Sequence, residues 1–410
     1  PELFPYCKSE KWRRGHGGGK IFIGYPSRFG GRSGKGGTSV KRLLTLLCAL
    51  LLLTLPAQAL EVEAPSAVLM ERDTGTVLFE KDAHTPREPA SVTMTLLLVM
   101  EAIDSGQLRW DDLVTGSAHA ASMGGSQIWL KEGEALSVAD MVKAVCVVSA
   151  NDCAVALAEH IAGSEDAFVS RMNQRAAELG MEHTVFLNAT GLPTPGHLTC
   201  AYDIALMSRE LILRHPEIRE FATIWMDTLR DGQFQLSNTN KLIRFYEGAT
   251  GLKTGFTSSA LYCLSATAER GGMELIAAVM HAPTSNDRFE SAKALLSYGF
   301  ANYALLPVYP REPLAPIPVA LGSRDTVQPV PGRECAILVE KAQAGKVTTS
   351  VELAPGVDAP VEAGQKLGEL QVFVDGQLRD TIDLVAAAPV ERLRLGGIFK
   401  GLLRRLLMAG

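Results

Sequence analysis

The chain has 410 residues, 47% of them hydrophobic and 21% charged. That is too long for one compact core and too ordinary in composition for a disordered chain or a polytopic membrane protein. The net charge of −5 argues against a nucleic-acid partner and hides an asymmetry: residues 1–42 carry +8 and 43–59 none, leaving −5 − 8 = −13 on the body from residue 60 onward.

The leader comes first. Lys41-Arg42, an apolar run over residues 43–55 and Pro56-Ala57-Gln58-Ala59 have the order of a secretory signal peptide, with cleavage expected after Ala59. A spanning helix needs roughly 20 apolar residues, and this run is shorter. The sequence therefore predicts export, to the outer face of the cytoplasmic membrane or the cell-wall space. Of the seven cysteines, Cys146, Cys153, Cys200, Cys263 and Cys335 lie after the cleavage point. An odd number without a paired CxxC predicts neither a disulfide framework nor a metal centre, and no organic cofactor is implied.

Residues 60–303 read as a first mature domain. Ala67 to Arg72 and Thr76 to Lys81 flank Asp73-Thr74-Gly75 and predict a β-hairpin. Residues 91–103 have helical composition and stop before Gly106, and 137–162 and 164–180 are helical with capping serines. Residues 250–255, 262–269 and 274–281 predict three strands, with Gly271-Gly272 as the turn between the last two. A helix over 286–298 follows. Strands from both ends of the segment around a helical middle predict an α+β fold with an antiparallel sheet. Pro307, Pro310, Pro313, Pro316 and Pro318 predict a stiff linker over 304–318. Residues 319–390 read as a small all-β domain, with Asp375-Gly376 turning a hairpin. In 391–410, Leu395, Ile398, Phe399, Leu402, Leu403, Leu406 and Leu407 form one stripe, with Arg394, Lys400, Arg404 and Arg405 largely off it. That pattern predicts a basic amphipathic helix lying in an anionic membrane surface.

Three short elements carry chemistry. Lys253-Thr254-Gly255 on an edge strand places an ammonium and a hydroxyl where an extended peptide with a terminal carboxylate can pair. Ser149-Ala150-Asn151 offers a hydroxyl and an amide from the helical region. Ser91, at the start of an apolar helix, is a candidate nucleophile beside a positive helix end, although a plain N-cap would look the same.

In order and spacing, Pro89-Ala90-Ser91-Val92-Thr93, Val148-Ser149-Ala150-Asn151-Asp152 and Gly251-Leu252-Lys253-Thr254-Gly255 resemble the penicillin-binding D-alanyl-D-alanine carboxypeptidases. Met172-Asn173, Gly191-Leu192-Pro193 and Tyr202-Asp203 extend the resemblance, which covers about residues 61–390 including the later β-domain; the terminal amphipathic helix also looks like that family's membrane anchor. It implies a penicillin-binding/β-lactamase-like sheet flanked by helices, with a helical subdomain. It implies release of the terminal D-alanine from peptidoglycan stem pentapeptides through a serine acyl-enzyme that β-lactams trap. Ser91 takes the nucleophile position and Ser149 the second motif. Asn151, Lys253, Thr254 and Gly255 take substrate-binding positions.

One position departs from the family. Its first motif is Ser-x-x-Lys, and here Met94 stands where the base lysine belongs; no serine in the chain has a lysine three positions later. Three residues on from Ser91 is one helical turn, so the side chain at 94 is expected to point into the same cleft as Ser91 Oγ. Losing a general base costs about 10²–10⁴-fold. Three accounts follow: a one-base change that a lysine at 94 would reverse, a silenced homologue retained as a peptidoglycan-binding scaffold, or Lys253 serving as base. The otherwise intact motifs favour the first, and the anion-binding role of Lys253 weighs against the third. A serine β-lactamase shares the motif order but needs a carboxylate and a water for deacylation.

Overall fold

The computed structural model describes residues 60–91, 93–310 and 312–393. The leader and most of the terminal amphipathic segment lie outside the described residues. The first domain opens with β1 (Ser66–Glu71) and β2 (Val77–Lys81). Their turn is held by the buried Glu71 carboxylate, which accepts the backbone N–H of Asp73 (2.9 Å) and of Thr74 (2.7 Å). A helical block follows: α1 (Thr93–Asp104), β3 (Leu113–Thr115), α2 (Ala118–Ala121), β4 (Ala135–Ser137), α3 (Val138–Val148), α4 (Asn151–Ala162), α5 (Glu165–Glu178), α6 (Ala201–Arg214) and α7 (Ile218–Ala222). A small hairpin, β5 (Met226–Leu229) and β6 (Phe234–Ser237), and the turn α8 (Leu242–Phe245) lead into three long strands, β7 (Ala249–Thr257), β8 (Leu261–Arg270) and β9 (Met273–Ala282), and then α9 (Ser285–Asn302).

These strands form one antiparallel sheet in the order β2-β1-β9-β8-β7. The two ends of the domain therefore meet in its middle, as the sequence predicts for this α+β fold. Both faces are covered. Val68, Met70, Ile276, Ala278 and Met280 point into the core shared with the helical block. Ala67, Leu69, Leu275, Ala277 and Val279 point into the core under α9. Strands buried on both faces read as unbroken apolar runs rather than alternating ones, and β1 and β9 do so. α9 is started by a capping box in which Thr284 and Asp287 satisfy each other's backbone N–H.

Two boundaries differ from the sequence reading, and both shape the site. α1 begins at Thr93, and Ser91 lies before it in the left-handed region with φ 69°. The predicted helical stretch over 137–162 is broken between α3 and α4, where Ser149 is left-handed with φ 62°. A left-handed residue ends the α3 hydrogen-bond ladder and turns Ser149 outward.

The chain enters the β-rich part through a strand. β10 (Tyr303–Pro307) follows α9 directly and pairs with β14 (Ala336–Glu340), and Val308 N donates to Cys335 O at 2.9 Å. Both ends of the predicted linker, 304–307 and 317–318, are therefore built into strands, with Pro307 and Pro318 at extended positions that proline tolerates, while the described residues between them are neither helix nor strand. β11 (Ile317–Ala320) pairs with β12 (Thr326–Val327) and with β16 (Val357–Asp358). A four-stranded sheet runs β13 (Pro329–Pro331), β18 (Gln377–Ala386), β17 (Lys366–Val374) and β15 (Val347–Leu353). The β17–β18 turn uses Asp375 and Gly376, both at positive φ, as a tight hairpin requires.

Candidate active site

The site lies where the helical block meets the edge of the sheet. β7 is the edge strand, so one side of its backbone has no strand neighbour. The segment carrying Ser91 packs flat against it. A Cβ added at Gly255 would fall 1.3 Å from Ala90 O, so only glycine permits this approach. On the other side a Cβ at Gly191 would sit 2.4 Å from Ser91 N, and Gly191 itself needs φ 80°. Asn188 Oδ1 holds that loop by accepting the N–H of Gly191 at 2.7 Å and of Thr190 at 3.2 Å.

The predicted residues converge. Ser91 Oγ lies 3.1 Å from Ser149 Oγ, and Lys253 Nζ lies 2.7 Å from Ser149 Oγ and 2.7 Å from Thr254 O. Ser91 and Ser149 face each other from two left-handed backbone positions. Non-glycine residues rarely adopt these, and they cluster at functional sites. Asn151 Nδ2 donates to Gly124 O at 2.8 Å, which draws the 124–126 loop over the start of α4. Thr254 Oγ1 is 2.6 Å from Thr239 Oγ1. Together Ser91, Ser126, Ser149, Asn151, Thr239 and Thr254 line one open cleft.

Met94 has no exposed surface and packs in the apolar cluster that also takes in Ala90, Ala150 and Leu252; like Lys253, it is not among the residues lining the open cleft. Ser91 lies just before α1 rather than on it. Thr93, the neighbour of Met94, lines a small void with Ser91, Lys253 and Gly255.

Two residues were not singled out from sequence. Arg288, in the first turn of α9, is 6% exposed and lines the cleft; its Nη1 donates to Gly255 O at 3.1 Å and Cys263 O at 3.3 Å. Its only sequence signal was a basic side chain near a helix start, where cations are disfavoured. Asp152, quoted above only as the end of a motif, is fully buried and accepts the N–H of Ile128 (3.0 Å), Leu130 (2.9 Å) and Cys153 (2.9 Å). It pins the loop that lines one wall of the cleft.

The electrostatics are lopsided. Neither Lys253 nor Arg288 has an acidic partner among the described residues. Burial, reinforced by the Arg288 charge, pulls the Lys253 ammonium down to about 7. Cys146 opposes this only as a thiolate, and burial pushes its thiol up to about 12. Burial lowers Arg288 to about 10, which leaves it cationic at neutral pH. A cleft with buried, unpaired cations attracts an anion. The five described cysteines are all buried and free.

A family profile described as D-alanyl-D-alanine carboxypeptidase matches residues 54–284, and one described as the C-terminal domain of penicillin-binding protein 5 matches 307–392. The chain is 42% identical to the D-alanyl-D-alanine carboxypeptidase DacF of Bacillus subtilis, over 83% of this chain and 92% of that one. Penicillin-binding protein 5 of Haemophilus influenzae superposes with a TM-score of 0.70 at 30% identity, covering 81% of this chain and 98% of the other. Penicillin-binding protein D2 of Listeria monocytogenes, solved in its ampicillin-bound form, superposes with a TM-score of 0.52 at 34% identity, covering 60% of this chain and all of the other.

Proposed function

Because the chain belongs to the serine-type D-alanyl-D-alanine carboxypeptidase family, we propose that Ser91 forms an acyl-enzyme with peptidoglycan stem pentapeptides ending in D-alanyl-D-alanine, releases the terminal D-alanine, and is trapped there by β-lactams. The observation that carries this reading is the chain of contacts from Ser91 Oγ through Ser149 Oγ to Lys253 Nζ, at 3.1 and 2.7 Å, beside an unpaired strand edge. An extended peptide can add to that edge of β7, with its carboxylate drawn toward Arg288, Thr254 and Thr239. Phe256, more than half exposed and packed on Tyr262, flanks the entrance.

A scaffold that binds peptide without cleaving it is the second reading. It rests on one observation: the position that should hold the family's base carries a buried methionine. A β-lactamase is less favoured, because none of the cleft-lining residues is a carboxylate to activate the deacylating water. The test is intact mass of residues 60–410 after incubation with benzylpenicillin, together with D-alanine release from a stem pentapeptide. Carboxypeptidase function predicts an adduct on Ser91, measurable D-alanine, and loss of both in Ser91→Ala. Peptide binding without adduct or release would leave the scaffold, and rapid penicillin hydrolysis the β-lactamase.

The exported, membrane-apposed location belongs to the same proposal. No helix among the described residues is long and apolar enough to cross a membrane. A stem-peptide substrate lies outside the cytoplasm, where the leader would deliver the chain.

A further inference from the structure

We propose that Lys253, acting through the hydroxyl of Ser149, is the base that removes the proton from Ser91 in this chain; the inference rests on the carboxypeptidase reading above. The argument begins with what the cleft contains. Among its lining residues there is no histidine and no carboxylate, and Arg288 stays protonated. Met94 offers no basic atom and is buried in the core. Among the described residues Lys253 is the amine within reach, one hydroxyl away from the nucleophile.

Its geometry suits the task. As an ammonium, Nζ donates to Ser149 Oγ and to Thr254 O, each at 2.7 Å. Once it has lost a proton it keeps an N–H for Thr254 O, and its lone pair faces Ser149 Oγ at the same 2.7 Å, so that contact reverses and Nζ accepts the Ser149 O–H. Ser149 Oγ then accepts the Ser91 O–H at 3.1 Å. The proton leaves Ser91 for Ser149 as the Ser149 proton leaves for Nζ. The Ser91 oxygen forms the ester bond to the substrate carbonyl carbon. When the C–N bond breaks, the leaving amine takes its proton back along the same two steps. Water repeats the sequence at the ester and releases the shortened peptide. Nothing outside the chain, the substrate and water is required.

The objection from sequence was that Lys253 would have to abandon anion binding. Arg288 removes it. A second buried cation without an acidic partner among the described residues lines the cleft beside Ser91, Ser149 and Thr254 and can hold the carboxylate while Lys253, which lines the small void behind Ser91, is neutral. The charged and titratable groups facing Lys253 are Cys146 from α3 and Arg288 from α9. The first is a neutral thiol near pH 7, and the second disfavours the ammonium. The free amine therefore accumulates as pH rises through about 7.

The experiment measures acylation of residues 60–410 by benzylpenicillin from pH 5.5 to 9 by intact mass, with Ser149→Ala and Lys253→Arg alongside. The expected wild-type rate rises through an inflection near 7 and levels off. Both variants should fall about 100-fold or more at pH 8 and lose the inflection. Lys253→Arg keeps a cation and donors but no usable lone pair, so a merely structural or anion-binding lysine would be rescued by it and a base would not. A flat wild-type profile, or an inflection retained in either variant, overturns the relay while leaving the carboxypeptidase reading intact. If the wild type reacts only when imidazole or methylamine is supplied, the cleft is that of a carboxypeptidase without an internal base, and the relay is again overturned. No adduct under any of these conditions removes both.

Discussion

Met94 and Lys253 are both almost wholly buried, at 0% and 4% exposure, yet they sit in opposite surroundings. The lysine has Ser149 Oγ and Thr254 O at 2.7 Å to satisfy its amine. The methionine belongs to the same apolar cluster as Leu96, Leu97 and Met100 of α1. Burying an ammonium there without a partner should cost about 3–5 kcal/mol. Met94→Lys is therefore expected to lower the urea midpoint steeply and leave penicillin acylation no faster than wild type. Met94→Leu conserves volume and should cost less than about 1.5 kcal/mol. Equilibrium unfolding and adduct formation, measured on the same preparations, check both. A fully stable Met94→Lys protein that acylates faster would mean that the side chain at 94 reaches the cleft, as the motif spacing alone suggests.

The break between α3 and α4 does at the level of elements what Ser91, Ser149 and Lys253 do at the level of atoms. It turns Ser149 toward Ser91 and starts α4 with Asn151 and Asp152, which hold the 124–130 loop from opposite ends. Removing the Asp152 carboxylate strands three N–H groups, two of which it gathers from that loop, at about 1–3 kcal/mol each. Asp152→Ala is expected to lose about 3–5 kcal/mol in urea unfolding and to slow acylation as the loop loosens. Asp152→Asn, which keeps one acceptor, should fall between. An Asp152→Ala protein as stable and as reactive as wild type would show that the loop is held by other contacts. Much of this architecture was legible in sequence. The hairpin at Asp73-Thr74-Gly75, the three long strands and the Asp375-Gly376 turn each announce themselves through turn residues beside apolar runs. The two helix boundaries at Ser91 and Ser149 did not, because a left-handed serine has no sequence signature. β3 to β6 are three or four residues each, too short to show a period. Arg288 was silent for another reason: it meets Gly255 only because α9 folds back across β7 and β8.

As a whole molecule the chain is electrically divided. Residues 391–410 carry five basic side chains and one acid, a net of +4, so residues 60–390 carry −13 − 4 = −17. A body that acidic is repelled by an anionic bilayer and cannot contribute to holding itself there. The described residues from Leu60 to Leu393 belong to one compact unit in which β10 continues directly from α9, and Lys341 Nζ donates to Phe300 O at 2.6 Å. The membrane attachment expected from the sequence would then rest on the terminal leucines together with their cations, each worth about 1 kcal/mol at an anionic surface. Residues 60–410 are expected to sediment with vesicles containing phosphatidylglycerol, and residues 60–390 to stay in solution. Because the Debye length shortens from about 10 Å at 0.1 M salt to about 3 Å at 1 M, binding should weaken with salt but not vanish, since the apolar stripe is not screened. Truncation should leave acylation by soluble penicillin unchanged, as every residue lining the cleft precedes Phe289. A truncated protein that still sediments would place the membrane contact on the folded body and remove the terminal segment from its role.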